Sequence, residues 1–518
     1  MNGSALLTAF EARCAERPAA IAMREASGAA TTRGQLLARV HAVTRGLIRA
    51  GLTPGDHVLF AVRPGIDTIV FMLAIVEAGG VLVAADLGIG DSLFAAQMRM
   101  IQPRWVVADS LLLAASRYRL LRRLARTRGL SLLPLEQVAR ARCISVGPRL
   151  PGSRATITGA RLEHLGRRPG VVALPTTAAE EPLIVVFTSG TTAAPKAVVH
   201  SGRSIAATLD LVGSQLCFTE GDVLYASDVH FVLPALSAGA SVVIPPQGRF
   251  SAARTQRLLR EHGVTHLFNV TADAQALAEH LASTCDTLPT TVRDVMIGAA
   301  PVRAGFLRRF QAVLPRGARA WCVYGMTELL PAAFITLEEK LAYEGDGDML
   351  GTLARGVTAR LTAEGELVLR GPNLFTRYLG YDSVEEHYTG DVARFENGRV
   401  VLLGRSKDMI IRGHHNIYPA LHEPVVERLP GVRRCAMVGV FDERQADERV
   451  VLVVEPEDGV DGDRLRHEVG RALRSGPSRI DDAAVPDLII AMRLPVTGRS
   501  RKVDKEALRM LARERLSC

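Results

Sequence analysis

The sequence alternates between short apolar runs typical of strands and longer segments whose apolar residues recur at helical spacing. In the first third, the predicted strands lie at 58–62, 81–85 and 105–108 and the predicted helices at 33–48 and 68–77. In the middle third, the predicted strands lie at 223–226, 241–244 and 264–268, and the predicted helices lie at 272–283 and 303–314. This alternation predicts mostly parallel sheets covered by helices, an α/β fold. The Arg-, Gly- and Pro-rich region 146–181 is expected to be a long surface connection.

The pattern changes twice towards the C-terminus, and 518 residues are too many for a single core. Between Gly356 and Gly404, short strands and turns predict a small antiparallel β-barrel or sheet. Beyond residue 407, strands at 435–440 and 449–454 and a helix at 464–474 predict a smaller α+β unit. We therefore expect a large N-terminal domain, 1–406, and a small C-terminal domain, 407–518.

Composition excludes several classes of protein. Aromatic residues make up only 5%, which argues against a nucleic-acid protein that stacks many bases. The N-terminus lacks a basic region followed by an apolar core, and the apolar stretch 69–85 contains Glu77 and two glycines, so neither a secretory signal nor a membrane span is expected. Seven scattered cysteines without a CxxC pair favour a reduced, cytoplasmic protein without a zinc site. The net charge of +9 would attract anionic ligands.

The segment Thr188-Ser-Gly-Thr-Thr-Ala-Ala-Pro-Lys196 follows an apolar run, 183–187, that reads as a buried strand. Hydroxyl groups, backbone N–H groups and one lysine in such a loop can surround phosphate oxygens. The spacing is not that of the Walker loop. Taken alone, the segment is also compatible with an ordinary polar turn.

Five further segments carry polar chemistry in a fixed order along the chain. They are Gly298-Ala-Ala-Pro301, Tyr324-Gly-Met-Thr-Glu328, Thr389-Gly-Asp391, Gly404-Arg-Ser-Lys-Asp408 and the basic loop 494–502. A carboxylate such as that of Glu328 is a suitable ligand for Mg²⁺, and Asp391 can accept hydrogen bonds from ribose hydroxyls. Each segment alone is typical of a turn or a solvated loop, and only their joint occurrence indicates a site.

Taken together, these motifs resemble those of the acyl-adenylate-forming superfamily, which contains acyl-CoA synthetases, peptide-synthetase adenylation domains and luciferases. The loop 188–196 resembles the family's TSGTTGxPKG, and the other segments match its YGxTE, TGD and GRxKD motifs, with Asn416–Pro419 matching NIYP. The resemblance covers essentially the whole chain. Segments 86–90 and 329–331 also resemble fatty-acid-activating and β-lactone-forming members.

The resemblance implies ATP-dependent activation of a hydrophobic carboxylic acid, with Mg²⁺ as cofactor and CoA, or a carrier-protein pantetheine, as acceptor. The implied nucleotide contacts are Thr188, Ser189, Gly190, Thr191, Thr192 and Lys196 at the β,γ-phosphates; Gly298, Ala299, Ala300, Pro301, Tyr324 and Gly325 around adenine; and Asp391 with Arg405 at the ribose. Thr327 would bind the α-phosphate, Glu328 would hold Mg²⁺, and Lys502 would bridge the carboxylate and the α-phosphate. Lys407 would be the hinge of a mobile small domain.

The acyl pocket is expected around His230 and Phe231 and the backbone of 297–299, including Ala299. A packed core histidine is an equally good interpretation of His230. The implied partners are small molecules, with no nucleic acid and no membrane.

The chain departs from the family pattern at three places. Ala193 replaces a glycine of the phosphate loop, which narrows the backbone conformations available there. His414 stands where the family has a glycine on the pantetheine route, so thiol transfer is expected to be impaired. Four residues separate Thr497 from Lys502, against the usual three, which makes Arg499, Arg501 and Lys505 competing cations.

Two alternatives remain open from the sequence. The chain could be a β-lactone synthetase acting on a β-hydroxy acid, or a catalytically degenerate ATP-binding protein on the same fold. Kinase or P-loop spacing does not occur.

Overall fold

The structure is a computed structural model that describes residues 3–84, 91–117, 138, 140–148, 150, 155–188, 196–248, 250–412, 415–442, 447–475, 477–497 and 502–517. The helices are α1 (Gly3–Glu16), α2 (Arg33–Arg49), α3 (Ile66–Glu77), α4 (Asp91–Ile101), α5 (Ser110–Arg117), α6 (Gly159–Gly166), α7 (Gly202–Leu216), α8 (Val229–Ser237), α9 (Ala252–Glu261), α10 (Thr271–Ser283), α11 (Ala304–Val313), α12 (Leu337–Leu341), α13 (Pro419–Val426), α14 (Gly462–Ala472) and α15 (Lys505–Ser517). The strands are β1 (Ile21–Glu25), β2 (Ala30–Thr32), β3 (His57–Ala61), β4 (Val81–Ala84), β5 (Trp105–Asp109), β6 (Arg142–Val146), β7 (Ile157–Thr158), β8 (Pro182–Thr188), β9 (Lys196–Ser201), β10 (Val223–Tyr225), β11 (Ser241–Ile244), β12 (His266–Val270), β13 (Asp294–Gly298), β14 (Arg319–Met326), β15 (Leu329–Thr336), β16 (Asp348–Leu353), β17 (Thr358–Leu361), β18 (Glu366–Arg370), β19 (Arg377–Tyr378), β20 (His387–Glu396), β21 (Arg399–Arg405), β22 (Ile410–Arg412), β23 (His415–Ile417), β24 (Val432–Asp442), β25 (Asp447–Pro456), β26 (Leu488–Ala491), β27 (Val496–Thr497) and β28 (Lys502–Val503).

Two large sheets form the body of the protein. One has the order β19-β9-β8-β4-β3-β5-β6-β7, and the other runs β17-β18-β20-β21-β16-β15-β14-β13-β12-β10-β11-β1-β2. Strands β3 to β8 pair in parallel, as do β1 and β10 to β14, which confirms the predicted α/β class. The antiparallel group expected between Gly356 and Gly404 is present as β17, β18, β20 and β21, which continue the second sheet.

Helices fill the space between the two sheets and cover their outer faces. The largest apolar cluster joins Val70 of α3 and Val232 of α8 to Val58 of the first sheet and Val242 of the second. Separate clusters lie under α9 to α11 on the second sheet and under α4 and α5 on the first. Among the described residues, no helix combines the length and apolarity needed to cross a membrane.

The expectation of a long surface connection over 146–181 is wrong for 157–166, which form β7 and α6, whereas 167–180 are irregular and mostly exposed. Thr158 caps α6 by accepting a hydrogen bond from the Arg161 N–H, and Leu162 is fully buried. Helix α6 packs very closely against α2: a Cβ added at Gly46 or Gly166 would collide with backbone carbonyls of the other helix. This close approach of two helices depends on distant residues, so the local sequence gives little sign of it.

The carboxyl ends of β12, β13 and β14 meet at one edge of the second sheet. Val270 pairs with Gly298, and Ile297 with Cys322, so the segments that follow these strands emerge side by side. These segments carry the predicted motifs 298–301 and 324–328. In open parallel sheets this edge is where ligands bind.

The chain beyond residue 407 forms its own small sheets and apolar clusters. Strands β24, β25 and β26 make a three-stranded sheet, with α14 against one face and α15 against the other. The predicted strand 435–440 lies within the longer β24, and the predicted strand 449–454 lies within the longer β25. The predicted helix 464–474 corresponds to α14, which begins and ends two residues earlier.

Arg303 joins this C-terminal part to the large sheets. Its Nη2 lies 2.7 Å from Oε2 of Glu423 on α13, and its Nε lies 3.7 Å from Glu427. Glu423 is almost fully buried and also lies 3.3 Å from the Lys505 ammonium. Although burial alone would raise the pKa of Glu423, Lys505 and Arg303 lower it, so the carboxylate stays ionised.

We expect Arg303→Ala to loosen the C-terminal part from the large sheets. Removing one partner of a largely buried ion pair costs about 3 kcal/mol, because Glu427 loses its cation and Glu423 keeps only Lys505. Limited trypsin digestion should then cut near residues 405–415 sooner than in the parent protein. Arg308→Ala, an exposed arginine on α11, is the matched control. An unchanged digestion pattern for Arg303→Ala would contradict this role.

Candidate active site

The carboxylate of Asp391 is buried between an aromatic hydroxyl and a guanidinium. The Tyr324 hydroxyl donates to Oδ2 at 2.6 Å, and Arg405 Nε lies 2.7 Å from Oδ1. Arg405 is not aligned to donate a hydrogen bond, so Oδ1 accepts none from the described residues. A buried carboxylate oxygen in this state fits a ligand hydroxyl group, such as that of a ribose.

The backbone around Asp391 is fixed by its own turn. Thr389 Oγ1 donates to the Leu367 carbonyl at 2.7 Å and accepts from the Asp391 N–H at 3.0 Å. Gly390 has a φ of +70°, which favours glycine at this position. The register of β20 and β21 places Asp391 directly opposite Arg405. The two predicted ribose residues are therefore neighbours.

Tyr324 lies at a close approach between β14 and β15. A Cβ added at Gly325 would come within 2.7 Å of the Leu330 side chain and 3.1 Å of the Leu329 carbonyl, so the hairpin requires a small residue there. Burial and the charge of Asp391 raise the pKa of Tyr324 well above its usual value. The phenol therefore remains a hydrogen-bond donor at neutral pH.

The loop 298–301 is held in a restrained conformation after β13. The Thr271 hydroxyl lies 3.1 Å from both the Gly298 and the Ala300 carbonyls. Ala299 adopts a φ of +69°, which is uncommon for a residue with a side chain. A Cβ at Gly298 would meet Val323 at 2.5 Å. The loop thus presents backbone beside Tyr324, as expected for a surface that binds a flat ring.

Glu328 and Lys196 are connected through Tyr378, a residue that the motifs did not indicate. The Tyr378 hydroxyl donates to Glu328 Oε1 at 2.9 Å, and the Lys196 ammonium lies 5.1 Å from the centre of the Tyr378 ring. No donor among the described residues bonds the second Glu328 oxygen. That oxygen fits the coordination of Mg²⁺.

Two histidines, the buried His200 and the half-buried His387, also lie at this site without any motif to indicate them. His200 Nε2 donates to the carbonyl of Thr327 at 2.7 Å and so fixes the turn before Glu328. Burial lowers the pKa of His200, as it does that of His387, which lies within the electrostatic influence of Glu328 and Lys196. The positions of His200 and Tyr378 depend on the pairing of β9 with β19, which are distant in sequence.

Lys502 lies within the electrostatic surroundings of Asp391. Crowding by protein and the cations of Arg405 and Lys407 lower the pKa of Lys502, whereas Asp391 raises it. The side chain nevertheless remains open to solvent. Pairing of β27 with β28 sets Lys502 opposite Thr497. The predicted catalytic lysine therefore lies near Asp391, and the predicted hinge residue Lys407 lies near Lys502.

The two expected acyl-pocket residues differ in their surroundings. Phe231 is buried and stacks on Phe268 with ring centres 4.1 Å apart, so it packs in the core. His230, by contrast, keeps 35% of its side-chain surface accessible, and its Nδ1 lies 2.7 Å from Asp228 Oδ1. His230 is therefore not a packed core histidine.

Several predicted residues lie outside the described part of the chain. They are Ser189, Gly190, Thr191, Thr192, Ala193, His414, Arg499, Arg501 and the segment 86–90, together with the side chain of Thr188.

Comparison with known proteins identifies relatives across almost the whole chain. A family profile described as AMP-binding enzyme matches residues 10–379. An olefin beta-lactone synthetase of Stenotrophomonas maltophilia is 27% identical over 535 residues, covering 92% of this chain and 90% of that protein. A feruloyl-CoA synthase of an Amycolatopsis species is 27% identical over 523 residues, covering 95% and 96%.

Solved structures share the fold. The amide bond synthetase of Marinactinospora thermotolerans superposes with a TM-score of 0.77 at 23% identity, covering 97% of this chain and 99% of that one. The o-succinylbenzoate coenzyme A synthetase of Bacillus subtilis, solved with ATP and a magnesium ion, superposes with a TM-score of 0.76 at 18% identity. The superposition covers 96% of this chain and 98% of that one.

We expect Asp391→Asn to lower the affinity for AMP about 10- to 100-fold. A hydrogen bond from a ligand hydroxyl to a charged carboxylate contributes about 1.5–3 kcal/mol, and each 1.4 kcal/mol is tenfold in affinity. Isothermal titration calorimetry with AMP measures the change, and Asp382→Asn, at an exposed aspartate, is the control. Equal affinities of Asp391→Asn and the parent protein would place the ribose elsewhere.

Proposed function

Because the chain belongs to the family of AMP-binding enzymes, we propose that it activates a hydrophobic carboxylic acid with ATP, giving an acyl-adenylate and pyrophosphate. The observation that carries this proposal is the convergence of Tyr324, Asp391 and Arg405 with Lys502 at one place. These residues lie beside the loop 298–301 at the carboxyl edge of a parallel sheet.

The reaction joins two anions, so the site must supply positive charge and fixed donors. The carboxylate oxygen attacks the α-phosphorus, and the bond to pyrophosphate breaks. In this proposal, Asp391 orients the nucleotide through its ribose, and the Gly298–Pro301 loop with Tyr324 binds adenine. Lys502 neutralises charge between carboxylate and α-phosphate, while Thr327 binds an α-phosphate oxygen. Positioning and charge neutralisation are the main contributions that such a transfer needs.

The β,γ-phosphates would be held by Lys196 together with Thr188, Ser189, Gly190, Thr191 and Thr192. Bound at Glu328, Mg²⁺ would neutralise the phosphate charge during the reaction. Tyr378 links the two groups by donating to Glu328 while its ring lies under the Lys196 ammonium. This contact would keep the cation and the metal-binding carboxylate at a fixed separation.

The small domain, 407–518, would rotate about Lys407 after adenylation. This rotation would remove Lys502 from the site and open the route for the acceptor. We further propose that His414 narrows this route, so that transfer to CoA or to a carrier-protein pantetheine is weak. The thiol-using relatives, such as the feruloyl-CoA synthase, make CoA the first acceptor to test.

β-Lactone formation from a β-hydroxy acid is the second candidate. It is favoured by the similarity to olefin beta-lactone synthetases and by the Asp228–His230 pair, which a thiol acceptor does not require. In this reaction, the acceptor is the hydroxyl group of the activated acid itself.

ATP–pyrophosphate exchange with a panel of hydrophobic acids, followed by product analysis with and without CoA, tests the function and the acceptor together. We expect exchange with at least one acid and little acyl-CoA. His414→Gly should raise acyl-CoA formation several-fold, because the smaller residue opens the proposed route. Efficient acyl-CoA formation by the parent protein would reject the restriction at His414, whereas absence of ATP binding would indicate a degenerate protein.

Lys502→Ala should lower the rate of pyrophosphate exchange about 10²–10³-fold, the usual effect of removing one group that stabilises charge in the transition state. Affinity for AMP should change little. Because the lysine must be protonated, exchange should also fall as the pH rises through its pKa, which lies below the usual 10.5. Arg499→Ala and Arg501→Ala are the matched comparisons; a larger loss in either would transfer the role to that cation.

A further inference from the structure

Asp228 and His230 form a hydrogen-bonded pair at the start of α8. Asp228 caps the helix: its Oδ1 accepts from the His230 N–H at 3.0 Å and lies 2.7 Å from His230 Nδ1. A carboxylate can only accept, so Nδ1 carries a proton. In the neutral ring, Nε2 then has a free lone pair, and no described residue donates to it. This is the arrangement of a carboxylate-oriented general base.

The pair lies in a recess and not on an open surface. The side chains of His230 and Asp228 keep 35% and 45% of their surface accessible. Protein nevertheless surrounds both groups so densely that loss of hydration is the largest single influence on their pKa values. Side chains that are accessible to solvent and yet closely surrounded by protein are typical of the wall of a cavity. The neighbouring Phe231, stacked on Phe268, anchors this wall to the core.

The pair lies near the candidate active site, because Phe231 stacks on Phe268 of β12, two residues before Val270, which pairs with Gly298. The charge of His230 lowers the pKa of His200, and His200 Nε2 donates to the Thr327 carbonyl. The charge of Glu328, the residue after Thr327, raises the pKa of His200. The titratable groups that interact electrostatically with His230 are therefore Asp228 on its own element and His200 on β9.

Asp228 makes His230 a stronger base than a free histidine. Burial alone would lower the pKa of His230, but the charge and hydrogen bond of Asp228 outweigh it and raise the pKa above 6.5. Burial alone would raise the pKa of Asp228, but His230 lowers it, so the carboxylate stays ionised. An ionised partner also stabilises the imidazolium that forms when the ring accepts a proton.

Adenylation itself does not need this base, because the attacking carboxylate is already ionised at neutral pH. The need arises in the second half-reaction and depends on the acceptor. A thiol, with a pKa of about 8.5, supplies some thiolate unaided. A hydroxyl group is a weak nucleophile without a base beside it. A built base in the recess therefore favours a hydroxyl acceptor.

We propose that His230 is the general base for attack by the β-hydroxyl group of the activated acid on its own adenylate, with Asp228 as its positioning residue. This inference rests on the proposed function, because it requires an acyl-adenylate. The hydroxyl oxygen forms a bond to the carbonyl carbon. The bond from that carbon to the phosphate oxygen breaks, and AMP leaves with the electron pair. The hydroxyl proton moves to His230 Nε2 and then to solvent, and the product is a β-lactone.

The test measures the two half-reactions separately. Pyrophosphate exchange identifies the best straight-chain acid, and that acid is then compared with its β-hydroxy derivative for AMP release and for lactone by mass spectrometry. The variants are His230→Asn, whose amide can still donate to Asp228, and Asp228→Asn, which keeps a helix cap but loses the charge. His467→Asn, an exposed histidine on α14, is the matched control.

We expect His230→Asn to slow lactone formation about 10²–10⁴-fold, the usual contribution of a general base, while exchange falls only a few-fold. In the parent protein, lactone formation should rise with pH through a midpoint above 6.5, because only the neutral ring accepts a proton. Asp228→Asn should move that midpoint to lower pH, a change that a purely structural role of Asp228 would not produce.

Three results would overturn the inference while leaving the proposed function intact. They are an equal loss of both half-reactions in His230→Asn, lactone formation at the parent rate in that variant, and no lactone from a β-hydroxy acid that the parent protein adenylates. If no acid supports exchange, the proposed function fails, and the role of His230 fails with it.

Discussion

The buried carboxylate of Asp391 is the interaction on which the arrangement of the site depends. It lies on β20, yet its partners come from β14 through Tyr324 and from β21 through Arg405. A buried charge is tolerated only when it is paired, so the three strands are constrained to keep this alignment. Lys502, from the far end of the chain, lies in the same electrostatic field. One ionised group thus brings the large sheets and the C-terminal part to a common point.

A second ionic contact connects the loop 298–301 to the C-terminal part. Arg303 follows the loop 298–301 by two residues and pairs with Glu423 on α13 and with Glu427 just after α13. Glu423 in turn interacts with Lys505, three residues beyond Lys502. The loop that presents backbone to a flat ring and the segment that carries the catalytic candidate are therefore linked through three charged side chains.

Much of this arrangement could be predicted, and the exceptions share a physical cause. The parallel strands were readable because burial on both faces requires continuous apolar runs, and α2 was readable because Thr32 starts it with a capping box. The residues around Asp391 were readable because their motifs are local. Helix α6, His200 and Tyr378 were missed because each acquires its position from distant partners: α2, Thr327 and β9. Asp228, in contrast, does not depend on distant partners, because its position two residues before His230 is a local signal for a helix cap.

The chemical class of the acceptor can be inferred from the titratable groups that the proposed adenylation does not use. In the proposed function, Lys502 neutralises charge and Asp391 orients the nucleotide, and neither step uses the Asp228–His230 pair. A thiol acceptor has to reach the adenylate through an open route but needs little help with proton transfer. A hydroxyl acceptor needs a base, and when the hydroxyl group belongs to the bound acid, it needs no entry route. This chain has a histidine at 414, where the family has glycine, and a histidine at 230 that is oriented by Asp228. Both features favour a nucleophile that is already inside the site when AMP is ready to leave.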